Sequence, residues 1–80
     1  MYFTYVIRSL KDGSLYKGHT SDLEKRLKEH NSGQTKSIVA KIPFEVAYFE
    51  IFLTREDAIK REKYFKSAAG RRFLKSKMAS

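Results

Sequence analysis

Alternating apolar and polar residues predict three β-strands along this 80-residue chain. The first strand spans 2–10 and is rich in tyrosine, valine and isoleucine. The pair Asp12-Gly13 follows it, which is a strong signal for a tight hairpin, so 15–19 is predicted to be the return strand. The third strand, 44–53, is apolar on both faces, which is typical of a central strand covered on both sides.

The first predicted helix carries polar residues on the face that should point inward. It begins at Ser21, with Glu24 three residues later completing a capping box, and it ends near Gly33. Its inward stripe at helical spacing consists of Leu23, Arg26, Leu27 and His30. An arginine and a histidine on such a stripe cost stability unless they are paired, and functional sites are where that cost is tolerated.

The second predicted helix shows the same anomaly. Thr54 caps it, with Asp57 three residues on, and Glu62 interrupts an otherwise apolar inward face. The other residues of that face are Ala58, Ile59 and Phe65. Gly70 is expected to break the chain, and 71–78 to form a short, basic third helix.

The hairpin is predicted to present two phenols on one face of the sheet. A two-residue turn would pair Tyr5 with Thr20 and Ile7 with Gly18. Tyr5 and Tyr16 would then lie about 13 Å apart along the strands. Gly18 would lie between them without a side chain, which predicts a shallow floor on which a phosphate can sit.

Composition narrows the class of partner. The chain carries 17 Lys and Arg against 9 Asp and Glu, a net charge of +8, which favours a polyanion. Charge alone does not choose between DNA, RNA and anionic lipid. Cysteine is absent, and no apolar run approaches the roughly 20 residues of a membrane span. The N-terminus lacks the features of a signal peptide, so we expect one cytoplasmic domain over 1–80 with no membrane partner.

The ordered set of unusual residues resembles the GIY-YIG nuclease domain. The matching segments are Thr4-Tyr5-Val6, Tyr16-Lys17-Gly18, Thr20, Asp22-Leu23, Arg26-Leu27, Glu29-His30-Asn31 and Ala58-Ile59-Lys60-Arg61-Glu62. They cover nearly the whole chain and are closest to the small stand-alone bacterial members, which are similar to the nuclease part of the excision-repair endonuclease. The resemblance implies an α/β (α+β) fold with a three-stranded antiparallel sheet flanked by helices.

The resemblance also implies a metal-dependent phosphodiester hydrolase and a role for each catalytic residue. Tyr5 and Tyr16 match the two motif tyrosines, and Arg26 matches the arginine that holds the scissile phosphate. Glu62 matches the single carboxylate that binds the divalent ion, Mg²⁺ or Mn²⁺, and one carboxylate plus waters suits Mg²⁺. His30 matches a position filled by His or Tyr. Whether Tyr16 or His30 accepts the proton of the attacking water is open.

A wider substrate-binding surface is predicted around these residues. It comprises Lys17, Gly18, His19, Thr20, Asn31, Lys36, Lys41, Arg71 and Arg72. The expected partner is DNA, structured or damaged, bound mainly through its phosphates by a monomeric protein, with RNA left open.

Two alternatives belong to other functional classes. The first is a nucleic-acid-binding module that keeps the fold without turnover, because the C-terminal asparagine of some family members has no match. The second is a small basic structural or partner-binding domain whose polar residues form a folding network, with Arg26 and Glu62 as a plain ion pair between helices. Thr4, Val6 and Lys17 also depart from the family motif, and Lys17 is predicted to point away from the tyrosines.

Overall fold

The structure is a computed structural model that describes residues 1–78. Its elements in chain order are β1 (Tyr2–Ser9), β2 (Leu15–Thr20), α1 (Leu23–Asn31), a 3₁₀ helix (Lys36–Lys41), β3 (Phe44–Phe52), α2 (Arg55–Lys66) and α3 (Ala68–Met78). The strands form one antiparallel sheet in the order β2-β1-β3. The predicted fold, a three-stranded antiparallel sheet flanked by helices, is confirmed. No helix within 1–78 is long and apolar enough to cross a bilayer.

The central strand is β1, so the prediction of a central third strand is wrong. Both neighbours pair with β1, and the consecutive residues from Thr4 to Ile7 are all buried. β3 is an edge strand on which Phe49 and Ile51 remain exposed. Its apolar residues on both faces therefore do not reflect burial on both faces.

The hairpin register differs from the predicted one by two residues. Tyr5 lies opposite Gly18 and Ile7 opposite Tyr16. The turn is longer than two residues because Ser9 organises it: its backbone carbonyl accepts from the Gly13 amide at 2.9 Å, and its hydroxyl is also hydrogen-bonded there. A shift of two preserves the side-chain faces, so the tyrosines still share one face but lie only about 7 Å apart along the strands.

The helices cover the two faces of the sheet unequally. On one face a core of Tyr5, Ile7, Ile38 and Phe44 packs against α1 and the 3₁₀ helix. On the other face Val6 packs with α2 and α3 through Phe65 and Leu74. The two cores place α1 and α2 on opposite sides of β2, which is the other edge strand.

The observed helix boundaries differ in detail from the predicted ones. The N-cap of α1 is Asp22 rather than Ser21, because the Asp22 carboxylate accepts from the Lys25 amide at 3.1 Å. Gly33 ends the same helix with φ +86°, as predicted. Thr54 caps α2 as predicted, accepting from the Asp57 amide at 3.2 Å.

Two segments predicted as irregular are helical. Part of the predicted loop at 34–41 is the 3₁₀ helix, which buries Ile38. Gly70 lies inside α3, and the chain breaks instead at Ser67, the C-cap of α2. A side chain on Gly70 would collide with the backbone carbonyl of Tyr64, so close packing of α3 on the end of α2 requires this glycine.

Candidate active site

A cleft of about 160 Å³ lies at the free edge of β2. The residues that line it are Tyr5, Tyr16, Lys17, Gly18, His19, Arg26 and Glu62. Tyr16 and Gly18 belong to the face covered by α1, whereas Lys17 and His19 belong to the face covered by α2. The cleft therefore wraps around the strand edge, where α1 supplies the arginine and α2 the glutamate. Lys17 does point away from Tyr16, as predicted, and still reaches the cleft.

Gly18 makes room for a phenol instead of leaving a bare floor. A Cβ on Gly18 would lie 2.5 Å from the Tyr5 hydroxyl oxygen, so the ring of Tyr5 crosses directly over this glycine. Tyr5 is almost completely buried. Burial raises the pKa of the Tyr5 phenol, and the neighbouring Arg26 guanidinium only partly offsets this. The phenol is therefore protonated at neutral pH.

His30 lies behind Tyr5 rather than at the surface of the cleft. It is fully buried, with Nε2 at 2.8 Å from the Tyr5 hydroxyl and Nδ1 at 2.9 Å from the Thr35 hydroxyl. Burial, together with the charge of Arg26, lowers the pKa of His30, so the ring is neutral at pH 7. A neutral imidazole donates from one nitrogen and accepts at the other, which matches two hydroxyl partners. Sequence reasoning missed Thr35.

Arg26 brings a positive charge to the cleft. Its Nη1 donates to Glu29 Oε1 at 3.0 Å, a contact within one helical turn. A guanidinium carries several N–H donors in a planar fork, and the Arg26 group also lines the cleft beside Tyr5. Donors of Arg26 are therefore placed to meet an anion in the cleft.

Glu62 is held by two side chains. Its Oε1 accepts from His19 Nδ1 at 2.6 Å, and its Oε2 accepts from Lys66 Nζ at 2.8 Å. Burial would raise the pKa of Glu62, but the hydrogen bonds from Lys66 and His19 outweigh burial and lower it. The carboxylate is therefore ionised at neutral pH. The plain ion pair between Arg26 and Glu62 that the sequence left open is not formed; these residues pair elsewhere.

The donor chemistry of the cleft fits a hydrated divalent cation better than a dehydrated one. Within 1–78 there is no group of three or more His, Cys, Asp or Glu side chains that would enclose a metal ion. Mg²⁺ commonly keeps several waters and uses one or two carboxylates. Glu62 supplies one ionised carboxylate, provided that its contact with Lys66 or His19 gives way to the ion.

Only three of the wider set of predicted binding residues line the cleft. Lys17, Gly18 and His19 line the cleft, and Thr20 shapes the entry to α1 by accepting from the Asp22 amide. The other predicted residues lie outside the lining of the cleft. Their positions are Asn31 bonded to both backbone groups of Phe44, Lys41 paired with Asp12, Lys36 on the 3₁₀ helix, and Arg71 and Arg72 on α3.

Comparison with known proteins gives the family to which this fold and cleft belong. A model of the GIY-YIG catalytic domain matches residues 1–76, so the chain belongs to the GIY-YIG family. This confirms the resemblance seen in the sequence. The family consists of endonucleases, which generally use a divalent metal.

Within that family the chain is similar to small UPF0213 proteins. It is 46% identical to one from Bacillus licheniformis over 66 residues, 81% of this chain and 67% of the relative. One from Staphylococcus saprophyticus is 39% identical over 75 residues, 92% and 90% of the two chains. The solution NMR structure of a UPF0213 protein from Bacillus halodurans superposes with a TM-score of 0.55 at 32% identity, covering 95% of this chain and 84% of that one.

Proposed function

We propose that this protein is a divalent-metal-dependent endonuclease that hydrolyses phosphodiester bonds in DNA, with structured or damaged DNA as substrate. The observation that carries the proposal is the convergence of an ionised carboxylate, a guanidinium and two phenols from four elements on one cleft. Phosphodiester hydrolysis needs charge relief on the phosphate, an activated water and help for the leaving oxygen, and these groups supply matching chemistry. The proposal takes 1–80 as one cytoplasmic, monomeric catalytic domain.

Arg26 and Glu62 divide the electrostatic work in this proposal. The fork of Arg26 binds the scissile phosphate through hydrogen bonds assisted by charge. The ionised carboxylate of Glu62 holds hydrated Mg²⁺ or Mn²⁺. When bound, the cation polarises the phosphate and stabilises charge on the departing oxygen.

The arrangement of the two aromatic groups favours Tyr16 over His30 as the proton acceptor. Tyr16 lines the cleft, whereas both ring nitrogens of buried His30 already contact hydroxyl groups. A lowered pKa also makes His30 a weaker base. We therefore assign His30 the positioning of Tyr5, whose hydroxyl lies over Gly18 at the cleft.

One observation favours a nucleic-acid-binding module as the second candidate. Both oxygens of Glu62 are occupied, by His19 and by Lys66. If these contacts do not give way to a cation, the cleft binds phosphate through Arg26 and Lys17 without hydrolysing it.

The deciding experiment is incubation of the protein with flap, branched, nicked, damaged and plain duplex DNA, and with matching RNA, in Mg²⁺ or Mn²⁺. Cleavage that is abolished by EDTA supports the nuclease proposal. The nucleic acid that is cleaved identifies the preferred substrate. Binding to these nucleic acids without any cut, at every metal concentration, favours the binding module.

The salt dependence of DNA affinity tests the role of phosphate contacts. Each contact should contribute about one unit to the slope of log affinity against log salt. The net charge of +8 motivates this prediction. Fluorescence anisotropy in EDTA between low and physiological salt measures the slope, and a flat response would contradict recognition through the DNA backbone.

A further inference from the structure

A second and larger cavity lies between the β1–β2 hairpin and α3. We call it the hairpin cavity; its volume is about 470 Å³, within the range of about 300–1,000 Å³ typical of small-molecule sites. Leu15, Leu74 and Met78 form its apolar wall. Its cationic groups include Lys17, Arg71 and Lys75.

The hairpin cavity adjoins the candidate active site through one residue. Lys17 lines both the cleft and the hairpin cavity. Every second side chain of β2 lies on the same face of the sheet. On this face His19, Lys17 and Leu15 follow one another at intervals of about 7 Å. A path therefore runs from His19 at the Glu62 carboxylate, past Lys17, to the apolar wall.

Charge and polarity in the hairpin cavity complement a particular chemistry. No carboxylate is among the side chains of 1–78 that line it. Burial lowers the pKa of Lys17, and the nearby charges of Arg71 and Lys66 lower it further. An anion beside Lys17 and Arg71, which both line the cavity, would relieve their mutual repulsion. The apolar wall suits an uncharged group attached to that anion. A nucleotide, with its base and its phosphate, combines both features.

We propose that the hairpin cavity binds the base of an unpaired nucleotide, with the phosphate of that nucleotide between Arg71 and Lys75. The strand continues past Lys17 into the cleft. This inference rests on the proposed function and names its substrate class: DNA with an unpaired nucleotide beside the scissile phosphate. The bound nucleotide must be free of base pairing, because a base inside a duplex stays in its stack and cannot enter a cavity in the protein.

The first test measures binding of a fluorescein-labelled single-stranded oligonucleotide by anisotropy in EDTA, where no cleavage is required. The double variant Arg71→Ala/Lys75→Ala removes two cations of the hairpin cavity. Its matched control, Arg55→Ala/Lys63→Ala, removes two exposed cations that do not line the cavity. We expect the first pair to weaken binding about tenfold and the control about threefold or less.

The second test addresses the base itself. Leu15→Glu places a charge in the hairpin cavity, and Leu53→Glu places the same charge at an exposed position outside it. Wild type should prefer the normal strand over the same strand with abasic sites by about threefold or more. Leu15→Glu should remove that preference, and Leu53→Glu should retain it. Thermal melting of every variant verifies folding, and the first test stands if Leu15→Glu does not fold.

The outcomes separate this inference from the proposed function. If the strand binds as expected and no DNA is cut with metal, the nuclease proposal fails and the hairpin cavity keeps its assignment. If each variant binds like its matched control, the assignment is overturned whether or not DNA is cut. Tighter binding to phosphatidylglycerol vesicles than to the strand, with the same sensitivity to Leu15→Glu, would also overturn it.

Discussion

Two partly buried arginines on opposite faces of the sheet behave differently. Arg61 on α2 is 30% exposed and donates to both oxygens of Glu50, at 2.7 and 3.2 Å, while its guanidinium stacks 4.6 Å from the ring of Tyr64. Arg26 on α1 is 36% exposed and contacts Glu29, three residues away on its own helix. Arg61 is thus locked into the fold by a bidentate pair and aromatic rings, whereas Arg26 faces a cleft with donors to offer.

The two glutamates on these networks differ in the same way. Burial opposes ionisation of both, and hydrogen bonds nevertheless lower both pKa values. Glu50 is 22% exposed and Glu62 17%, so burial does not distinguish them. Their partners distinguish them. Glu50 is paired with Arg61, which stacks on aromatic rings, whereas one partner of Glu62 is Lys66, whose side chain is 56% exposed. A flexible surface lysine is far easier to exchange for a cation.

The sharpest way to break this comparison is to neutralise each glutamate. Glu62→Gln should lower the rate of cleavage by about a thousandfold or more, because the carboxylate that holds the cation is lost, a cost of about 4 kcal/mol. Glu50→Gln should leave the rate nearly unchanged and lower the melting temperature. Cleavage at saturating Mg²⁺ and thermal melting measure the two effects.

The Glu62 variant also has an outcome that refutes the metal role. DNA affinity in EDTA should stay within about threefold of wild type, because Glu62 contributes no contact to phosphate in this proposal. Equal cutting by wild type and Glu62→Gln would show that Glu62 is a structural ion-pair partner like Glu50.

Truncating the two arginines comes next in size. Arg26→Ala should reduce the cleavage rate a hundredfold or more, a loss of about 3–4 kcal/mol of transition-state stabilisation, with little change in melting. Arg61→Ala should lower stability by about 2–4 kcal/mol and leave the rate per folded molecule unchanged.

The same pair of variants separates the three functional classes. A binding module would lose affinity of about 1–3 kcal/mol in Arg26→Ala with no cleavage to lose. A structural domain would lose stability in both variants to a similar degree. Melting curves, anisotropy titrations and cleavage assays on the two proteins distinguish these results.

The difference between the two arginines also marks what the sequence can predict. Arg26, His30 and Glu62 stood out because each interrupts an apolar stripe at helical spacing, and the structure places all three at or behind one cleft. Arg61 gave no such signal, because its aromatic neighbours come from α2 and α3 and meet only in the folded chain. Local pattern detects a polar residue facing inward, but not the long-range partner that satisfies it.

The predicted hairpin register was wrong for a related reason. An Asp-Gly pair predicts a two-residue turn, yet hydrogen bonds to the side chain and backbone of Ser9 hold a longer one. The resulting pairing puts Tyr5 opposite Gly18, and only in this register does the Tyr5 ring lie over the glycine. A contact that depends on register cannot be read from the alternation of residues, because a shift of two leaves that alternation unchanged.

Removing the Tyr5 hydroxyl should have an intermediate effect, because this group contributes both to the stability of the fold and to the cleft. Tyr5→Phe leaves His30 Nε2 buried without its partner at 2.8 Å, which should cost about 1–3 kcal/mol of stability. The cleavage rate should also fall, because the lost hydroxyl lies over Gly18 at the cleft. Tyr48→Phe is the matched control: its hydroxyl donates to Glu50 at 2.6 Å, away from the cleft, so only stability should change. Equal rates in the two variants would remove Tyr5 from the chemistry.

The smallest effect concerns pH and comes from the buried ring of His30. Burial lowers the pKa of His30 below the ordinary 6.5, so between those two values the unfolded chain binds a proton that the folded protein does not. Stability is then complete above about pH 6.5 and declines as the pH falls toward the folded-state pKa. The lowered pKa values of Glu50 and Glu62 act in the same direction but below about pH 4.5. Comparison of wild type with a His30 variant between pH 7 and 5 subtracts the groups that both proteins share. Urea unfolding across that window should show a positive slope of stability with pH in wild type and a flatter one in His30→Gln, whose amide stays neutral. An unchanged slope in the variant would mean that His30 is not the buried neutral group behind Tyr5.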